Sequence, residues 1–440
     1  MLKPSKYYIP VEIDDKIALF QTLTSSVVKI DRAMFSRIFE EGDLRTDPDA
    51  VAALESMGFL TQHEDEDFRL TALRRQYKYA DTGVQSAIIA VTMECNARCY
   101  YCYENGATRA KMTLPTADAV VDFLDSRCKT RKLVIQWFGG EPLCAVDIID
   151  HIATCLRHRG IQLSGLITTN GLLIEDDILE KASGLWGIKR FQIPVDALGA
   201  DYDRIKNYKD IPAGESAFDR LTGNIHKVLQ HGFHVNARIN FDPGNIAPAI
   251  DVLHHLAREF SHYPNFFAYA APLTGKNIPS IVDLDTKGRM HPYLQLLLEM
   301  RRLGFLTPTL LKEECYYGGD ESLSGLSLAS RPTGCYATLP NVFAIDQNGD
   351  LYKCHRLLGR GQNYTCGNVF SGVEYNKTLR FFCDDQPCYP ECADCALMPI
   401  CQGGCKVKQK WYGGHAGCLA IRDIVKDVIR CYVAELSARS

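Results

Sequence analysis

Long apolar runs are missing from this chain, and none approaches the length needed to cross a bilayer. The first residues, Met1-Leu2-Lys3-Pro4-Ser5-Lys6, have no apolar core behind their lysines, so they do not read as a secretory signal. Neither sign of charge prevails. The formal net charge is −4, which points neither to nucleic acid nor to an anionic membrane surface. Hydrophobic residues at 46% and charged ones at 23% are the proportions of a soluble globular protein. A length of 440 residues exceeds one ordinary core, so two or three domains are expected. What the chain has in excess is cysteine, 18 in all. Without an export signal these argue for metal ligation in a reducing cytosol rather than for disulfides, and a cytoplasmic protein is expected.

Three of the cysteines, Cys95, Cys99 and Cys102, stand at C-x3-C-x2-C spacing directly after the apolar run Val84 to Val91. Three thiolates on one tight loop can hold three corners of a cubane iron–sulfur cluster, whose usual complement is four cysteines. The fourth iron is then left without a protein ligand, and an open position is what separates a catalytic metal site from a closed structural one. The alternatives are a zinc knuckle with its fourth ligand elsewhere, or buried thiols that ligate nothing. Zinc sites usually pair C-x2-C with a second such pair or with H-x3-H, and neither lies close by.

From about 83 to 305, strand-like runs alternate with helical patterns. The strands are Val84–Val91, Lys132–Trp137, Leu163–Thr168, Phe191–Val195, His234–Asn240 and Phe266–Ala271, and the helices lie around 116–127, 145–158, 175–183, 217–231, 247–260 and 286–303. This alternation predicts a parallel sheet covered by helices, an α/β fold. Ligands in such folds sit at the carboxyl ends of the strands. The cysteine loop follows the first strand, Gly139-Gly140-Glu141-Pro142 the second and Thr169-Asn170-Gly171 the third, so the three motifs are expected to converge.

With an aromatic residue before its last cysteine and the Gly-Gly-Glu-Pro run downstream, the loop resembles the radical S-adenosylmethionine (SAM) superfamily. The resemblance implies an open (β/α)6 partial TIM barrel over 81–310. It also implies a [4Fe–4S] cluster whose open iron is chelated by SAM, and reductive cleavage of SAM to a 5′-deoxyadenosyl radical. Oxygen-sensitive, anaerobic work and an electron donor such as flavodoxin or ferredoxin come with it. It places Gly140 and the backbone near Tyr101 against the SAM amino group and adenine, and Glu141 in the hydrogen-bond network of that amino group. Gly139 and Gly140 suit a close backbone approach because they lack Cβ, and Asn170 joins the set from the third strand. Where the family usually has a ribose-contacting Ser, this chain has Pro194, which cannot donate a hydrogen bond. Lys206 stands where an arginine usually grips the SAM carboxylate; it supplies charge but no planar fork. Arg238 is the candidate to share that role, with a plain surface arginine as the alternative.

Beyond 311 cysteine density jumps and helical periodicity thins, until an amphipathic stretch, Ile421–Leu436, closes the chain. Cys335, Gly349-x4-Cys354, Cys392-x2-Cys395-x5-Cys401-x3-Cys405 and then Cys418 resemble the SPASM domain, a loop-rich iron–sulfur domain, here over 311–440. By that likeness Cys392, Cys395, Cys401 and Cys418 hold an outer auxiliary [4Fe–4S] cluster, and Cys335, Cys354 and Cys405 an inner one, for three clusters in all. Two cubanes need eight thiolates and this pattern supplies seven. Either Cys315 completes the inner set, or one iron is open to a substrate thiolate. Cys366, Cys383 and Cys388 are further spares, while Cys128, Cys144, Cys155 and Cys431 fall on helical patterns and read as buried thiols.

Residues 1–80 read as a separate α+β module. Its strand candidates are Tyr7–Val11, Ile17–Phe20 and Ser26–Ile30, with Asp31 capping a helix through Phe39 and Asp47 or Asp49 another through Met57. Gly58-Phe59-Leu60 ends the second helix, and Arg74–Lys78 is the expected linker. The module resembles the winged-helix leader-recognition domains of peptide-modifying radical enzymes, which add a ligand strand to a sheet edge. A plain packing appendage is the alternative. Its acidic residues Glu40, Glu41, Asp43 and Glu64–Asp67 repel phosphates and disfavour DNA. Together these features imply a maturase that cross-links a ribosomally made precursor peptide, thioether-type favoured. A formylglycine-type maturase is the alternative, disfavoured because His355 stands where that group carries Asp; a non-catalytic iron–sulfur regulator is the other. His355, Asp346 and Tyr352 are the candidates for proton transfer.

Overall fold

The computed structural model describes residues 2–45, 47–62, 83–102, 104, 106–209, 211–212, 214–273, 292–305, 335–383, 392, 394–401, 403–407, 425–426, 429–430 and 433–434. At the N-terminus lie β1 (Lys3–Pro4), β2 (Tyr8–Ile13), β3 (Lys16–Gln21), β4 (Val27–Asp31) and the short helix α1 (Arg32–Phe35), which widens into a π-turn over Ser36–Glu40. Asp31 caps α1 by accepting from Met34 N at 2.7 Å. Asp47 caps α2 (Pro48–Ser56) by accepting from Ala50 N at 3.0 Å, and Pro48 opens the helix where its missing N–H is not needed. Gly58, at φ +82°, turns the chain into β5 (Leu60–Thr61), which pairs antiparallel with β1.

The strands β2, β3 and β4 form an antiparallel sheet with β3 in the middle. Its side chains alternate between two packed sets. Ile17, Leu19 and Ile30 join Leu54 and Phe59 in the module's own core, whereas Ile9, Val11, Ala18 and Phe20 belong to the main core together with Val425, Ile429 and Val433. Thr22 Oγ1 donates to Ala396 O at 2.6 Å, and Lys6 pairs with Asp394 at 3.5 Å. The module is therefore seated on the C-terminal region by one face of its sheet, the other covering its own small core. The expected linker and Glu64–Asp67 lie outside the described residues.

The barrel sheet runs through β6 (Ser86–Thr92), β7 (Lys132–Gly139), β8 (Gln162–Thr168), β9 (Ile188–Pro194), β10 (His234–Phe241) and β11 (Phe266–Pro272), each parallel to its neighbour. The helices between them are α3 (Leu114–Arg127), α4 (Val146–His158), α5 (Asp176–Gly184), α6 (Gly199–Lys206), α7 (Ala217–Gln230) and α8 (Ile246–Phe260), with α9 (Pro292–Arg302) after β11. The strands and the longer helices fall where the apolar pattern put them. The short helix α6 was not expected: its sequence GADYDRIK is mostly polar, and no side chain caps its start.

Two further strands extend the sheet. β12 (Val342–Ile345) pairs parallel with β6, and β13 (Leu351–Tyr352) pairs antiparallel with β12, so the order is β11-β10-β9-β8-β7-β6-β12-β13. The pleat then divides the sheet. Ala87, Ile89, Val91, Ile135 and Trp137 pack with helix residues such as Val120, Leu124, Ile149 and Ile152. Ile88, Ala90, Met93 and Phe138 pack instead with Tyr352, Cys354 and Leu357 on the concave face. Among the described residues no helix is long and apolar enough to cross a membrane.

Candidate functional site

The loop carrying Cys95, Cys99 and Cys102 leaves the carboxyl end of β6, and backbone bonds from three sides fix its course. From β7, Gly140 N donates to Thr92 O at 3.0 Å and Glu141 N to Glu94 O at 2.8 Å. A Cβ on Gly140 would lie 2.4 Å from Glu94 O, and one on Gly139, at φ +129°, 2.0 Å from Thr92 O. What the two glycines make room for here is the backbone of the loop's stem. From α6, Lys206 O accepts from Arg98 N at 2.8 Å, while Lys209 N donates to Asn96 O at 2.9 Å. From β8, Asn170 Nδ2 donates to Asn96 Oδ1 at 2.7 Å. The Arg98 guanidinium folds back on the carbonyls of Cys95 and Ala97, both at 2.6 Å.

Beneath the loop lies a buried polar cluster. Lys206 and Asp196 are 1% and 3% exposed and pair at 2.5 Å. Lys206 Nζ also donates to Tyr101 Oη at 2.8 Å, and the Tyr101 hydroxyl bonds the same Asp196 oxygen. The other oxygen of Asp196 accepts from Asn240 Nδ2 at 2.8 Å and Asn240 N at 3.2 Å. Burial alone would lower Lys206, but Asp196, with Tyr101 and Tyr202, holds its ammonium well above the ordinary lysine range. Burial and the Asp196 charge push the Tyr101 phenol up, so it stays protonated. The cation expected to meet a ligand carboxylate thus has an internal partner. Asp196 was not singled out from sequence; the available signal was its place just past β9, at the carboxyl end of the sheet. Arg238, on β10, donates from Nε to Asn240 Oδ1 at 2.9 Å, beside the same cluster.

Glu141 is fully buried. Its Oε1 accepts from Thr169 Oγ1 at 2.7 Å and Leu143 N at 3.1 Å, and its Oε2 from Asn170 N at 2.7 Å. Desolvation outweighs these bonds and lifts the carboxyl to about 7. It ties the Gly-Gly turn to the end of β8. The concave face between is polar: Gln136 Nε2 donates to Thr168 Oγ1 at 3.0 Å, and Tyr269 Oη to Gln192 Oε1 at 3.0 Å. Gln136 Oε1 is buried without a hydrogen-bond partner among the described residues, an acceptor suited to a ligand N–H or O–H.

Cys354 is buried in the packed set that holds Met93 and Phe138, and Cys405 lies against that set. Burial, with negative charge on Cys335 or Cys405, holds the Cys354 thiol well above the ordinary range. His355 packs its ring 5.3 Å from Phe138, and its Nδ1 bonds Tyr336 Oη at 2.6 Å. Tyr336 carried no sequence expectation. Asp346 instead organises the turn before β13, accepting from Asn348 N at 2.9 Å, Asp350 N at 3.0 Å and Tyr352 Oη at 3.2 Å. Cys392, Cys395 and Cys401 lie on one compact loop, where Cys395 N donates to Cys392 O at 3.2 Å and Cys401 N to Leu397 O at 2.8 Å. Cys315, Cys388, Cys418 and Cys431 lie outside the described residues.

The three thiols of the Cys95–Cys102 loop are a donor set that fits an iron–sulfur cluster. Burial, with the Glu141 charge, pushes the Cys95 thiol up to about 12, and burial lifts Cys102 to about 11. Neutral thiols of this kind become thiolates only when a cation takes the place of the proton.

Comparison with known proteins gives the same answer for the barrel. Residues 89–254, which span β6 to β10 of the barrel, match the family model described as the Radical SAM superfamily. An uncharacterised protein of Methanocaldococcus jannaschii is 26% identical over 282 residues, 63% of this chain and 87% of that one. A GTP 3′,8-cyclase of Rhodopirellula baltica is 30% identical over 151 residues, 33% of this chain and 39% of the cyclase, so the match spans less than half of that relative. Among solved structures, native anSMEcpe with bound AdoMet superposes with a TM-score of 0.58 at 14% identity, covering 80% of this chain and 98% of that one. SuiB of Streptococcus suis bound to S-adenosylmethionine superposes with a TM-score of 0.51 at 15% identity, covering 92% and 95%. These two show a shared fold. The first has also been solved with a Cp18Cys peptide and the second with the precursor peptide SuiA.

Proposed function

We propose that this radical SAM enzyme matures a ribosomally made peptide, taking hydrogen from a side-chain or α carbon so that a cross-link forms, of thioether type. Its parts are a leader-recognition module over 1–80, the radical SAM core over 81–310 and a SPASM-type domain over 311–440. Cys95, Cys99 and Cys102 would hold the SAM-binding [4Fe–4S] cluster, which with bound SAM supplies a 5′-deoxyadenosyl radical. Cys335, Cys354 and Cys405 would hold an inner auxiliary cluster, and Cys392, Cys395, Cys401 and Cys418 an outer one.

The observation that carries this reading is the packing of Cys354 with Met93 and Phe138, which flank the cysteine loop and the Gly-Gly turn. It puts Cys354, with Cys405 beside it, on the concave face, which supports an inner cluster turned toward a substrate there. The chain's own residues do the positioning. Asp196, Lys206 and Tyr101 hold the loop's underside, and the row from Gln136 to Tyr269 offers polar contacts to bound groups. Tyr336 Oη shares a hydrogen bond with His355 Nδ1 and accepts from the His355 backbone N–H at 2.9 Å. The Tyr336 hydroxyl and the His355 ring are the groups placed to move a proton there. The edges of the N-terminal sheet, β2 and β4, have no further strand beside them among the described residues, as strand addition by a leader requires. SuiB solved with its precursor peptide is a case of that substrate class on the same fold.

The test is anaerobic reconstitution with SAM, a strong reductant and the co-encoded peptides. The expected products are 5′-deoxyadenosine and a peptide lighter by two mass units, both lost when Cys95, Cys99 and Cys102 are replaced by alanine. SAM cleavage with every co-encoded Cys-rich peptide unchanged in mass would refute the substrate class. A product that reacts with a hydrazide would point to formylglycine instead.

A further inference from the structure

On the convex side of the barrel, α3 and α4 lie side by side and bring together three metal-binding side chains that the site above does not use. His151 and Cys155 stand four residues apart on α4, so one helical turn places them on the same face. Asp118, near the start of α3, meets them across the helix pair. His151 Nε2 lies 2.6 Å from Asp118 Oδ1 and 3.9 Å from Cys155 Sγ, and all three ligand atoms lie within 4.8 Å of one another. Cys155 had been read from sequence as a buried thiol; it is half-buried, packed against the core with its sulfur on the imidazole.

We propose that Asp118, His151 and Cys155 form a zinc site with one coordination position left to water. The shared atom is the decisive feature. A nucleophile–histidine–acid relay needs the acid on one ring nitrogen and the nucleophile on the other. Here a single nitrogen, Nε2, faces both partners, which is the arrangement of ligands around a common cation. Zinc bonds of roughly 2.0–2.3 Å in a tetrahedron set ligand atoms roughly 3.3–3.8 Å apart. The sulfur–nitrogen separation is already near that range. The nitrogen–oxygen contact is shorter because a proton occupies the place of the metal. Widening it falls to Asp118, whose side chain is 61% exposed, while Cys155 stays anchored in the core.

Charge and chemistry agree. One thiolate and one carboxylate neutralise a divalent cation, and thiolate with imidazole selects zinc over magnesium or calcium. The nearby carboxylates of Asp147 and Asp150 are already engaged by Lys111 and Lys181. Bound zinc would tie together the helices that follow β6 and β7, the strands carrying the cysteine loop and the Gly-Gly turn.

The test uses the full-length enzyme with its clusters loaded, so that their cysteines are occupied, crystallised anaerobically and soaked in zinc chloride. Diffraction on either side of the zinc absorption edge should show a peak between α3 and α4, absent from His151→Ala crystals. In solution, both His151→Ala and Cys155→Ser should bind one zinc fewer per chain at unchanged iron content, and zinc should raise the melting temperature of the native enzyme only. No peak, or equal zinc counts in native and variant enzymes, would overturn the proposal and leave an ion pair beside a bystander thiol.

Discussion

Replacing Lys206 by methionine separates two roles that its position allows. If the ammonium serves Asp196, the variant strands a carboxylate that is 3% exposed, with Asn240 and the Tyr101 hydroxyl as its remaining partners among the described residues. Removing one partner of a buried ion pair costs about 3–5 kcal/mol, because the survivor keeps its desolvation penalty. Arg204 and Asp201, on the same helix, form the control: that pair is 75% and 71% exposed, and breaking it costs about 0–1 kcal/mol. Chemical denaturation of the anaerobic, cluster-loaded protein is therefore expected to show a large loss for Lys206→Met and almost none for Arg204→Met. Lys206→Met with Asp196→Asn should recover part of the loss, since no charge is then left buried. SAM affinity, measured by calorimetry on the same samples, supplies the refutation. If Lys206→Met unfolds within about 1 kcal/mol of the native enzyme while SAM binding collapses, the ammonium belongs to the ligand and the reasoning fails.

Gly140→Ala would place a methyl 2.4 Å from Glu94 O, so the loop must shift; overpacking of this kind costs about 1–3 kcal/mol, and iron content per chain should fall. Glu141, lifted to about 7 against about 4.3 unfolded, binds its proton more tightly in the fold. Its contribution is present below about pH 4.3 and lost as pH rises to about 7, and Glu141→Gln should remove that slope from urea midpoints measured between about pH 5 and 8. Asp47→Ala removes the cap of α2 and should cost about 1 kcal/mol, read as faster amide exchange in that helix, with iron content and SAM cleavage unchanged.

The six parallel strands were legible because each carries apolar residues on its packed face, as a nearly unbroken run in β6 and β11 and in alternation with polar residues in β10. The turns at their carboxyl ends were legible for the same reason: once the strands are placed, the cysteine loop, the Gly-Gly-Glu-Pro turn and Asn170 must share one rim. What escaped was whatever depends on a partner distant in sequence. Lys206 reads from sequence as a cation for a ligand; only the fold brings it against Asp196 and Tyr101. Gly139 and Gly140 read as room for a ligand, and the atoms nearest their missing Cβ positions are Thr92 O and Glu94 O. The helix α6 has no apolar period to announce it, because its two buried residues, Tyr202 and Lys206, include a charge.

The strand β12 shows why the C-terminal cysteines cannot be considered apart from the barrel. Without it β6 would be an edge, with one row of N–H and C=O groups unpaired beside the cysteine loop. Pairing Val342–Ile345 parallel to Ser86–Ile89 removes that edge. It also sets the face of everything that follows, because side chains alternate with period two. Ala344 and Tyr352 fall on the concave side with Ile88 and Ala90, and Cys354, two residues after Tyr352, falls with them. A one-residue slip of β12 against β6 would turn Cys354 toward the helices and part it from Met93 and Phe138. The register of one short strand therefore decides whether Cys354 faces the concave side or the helices, which ties this C-terminal cysteine to the folding of the first βα unit.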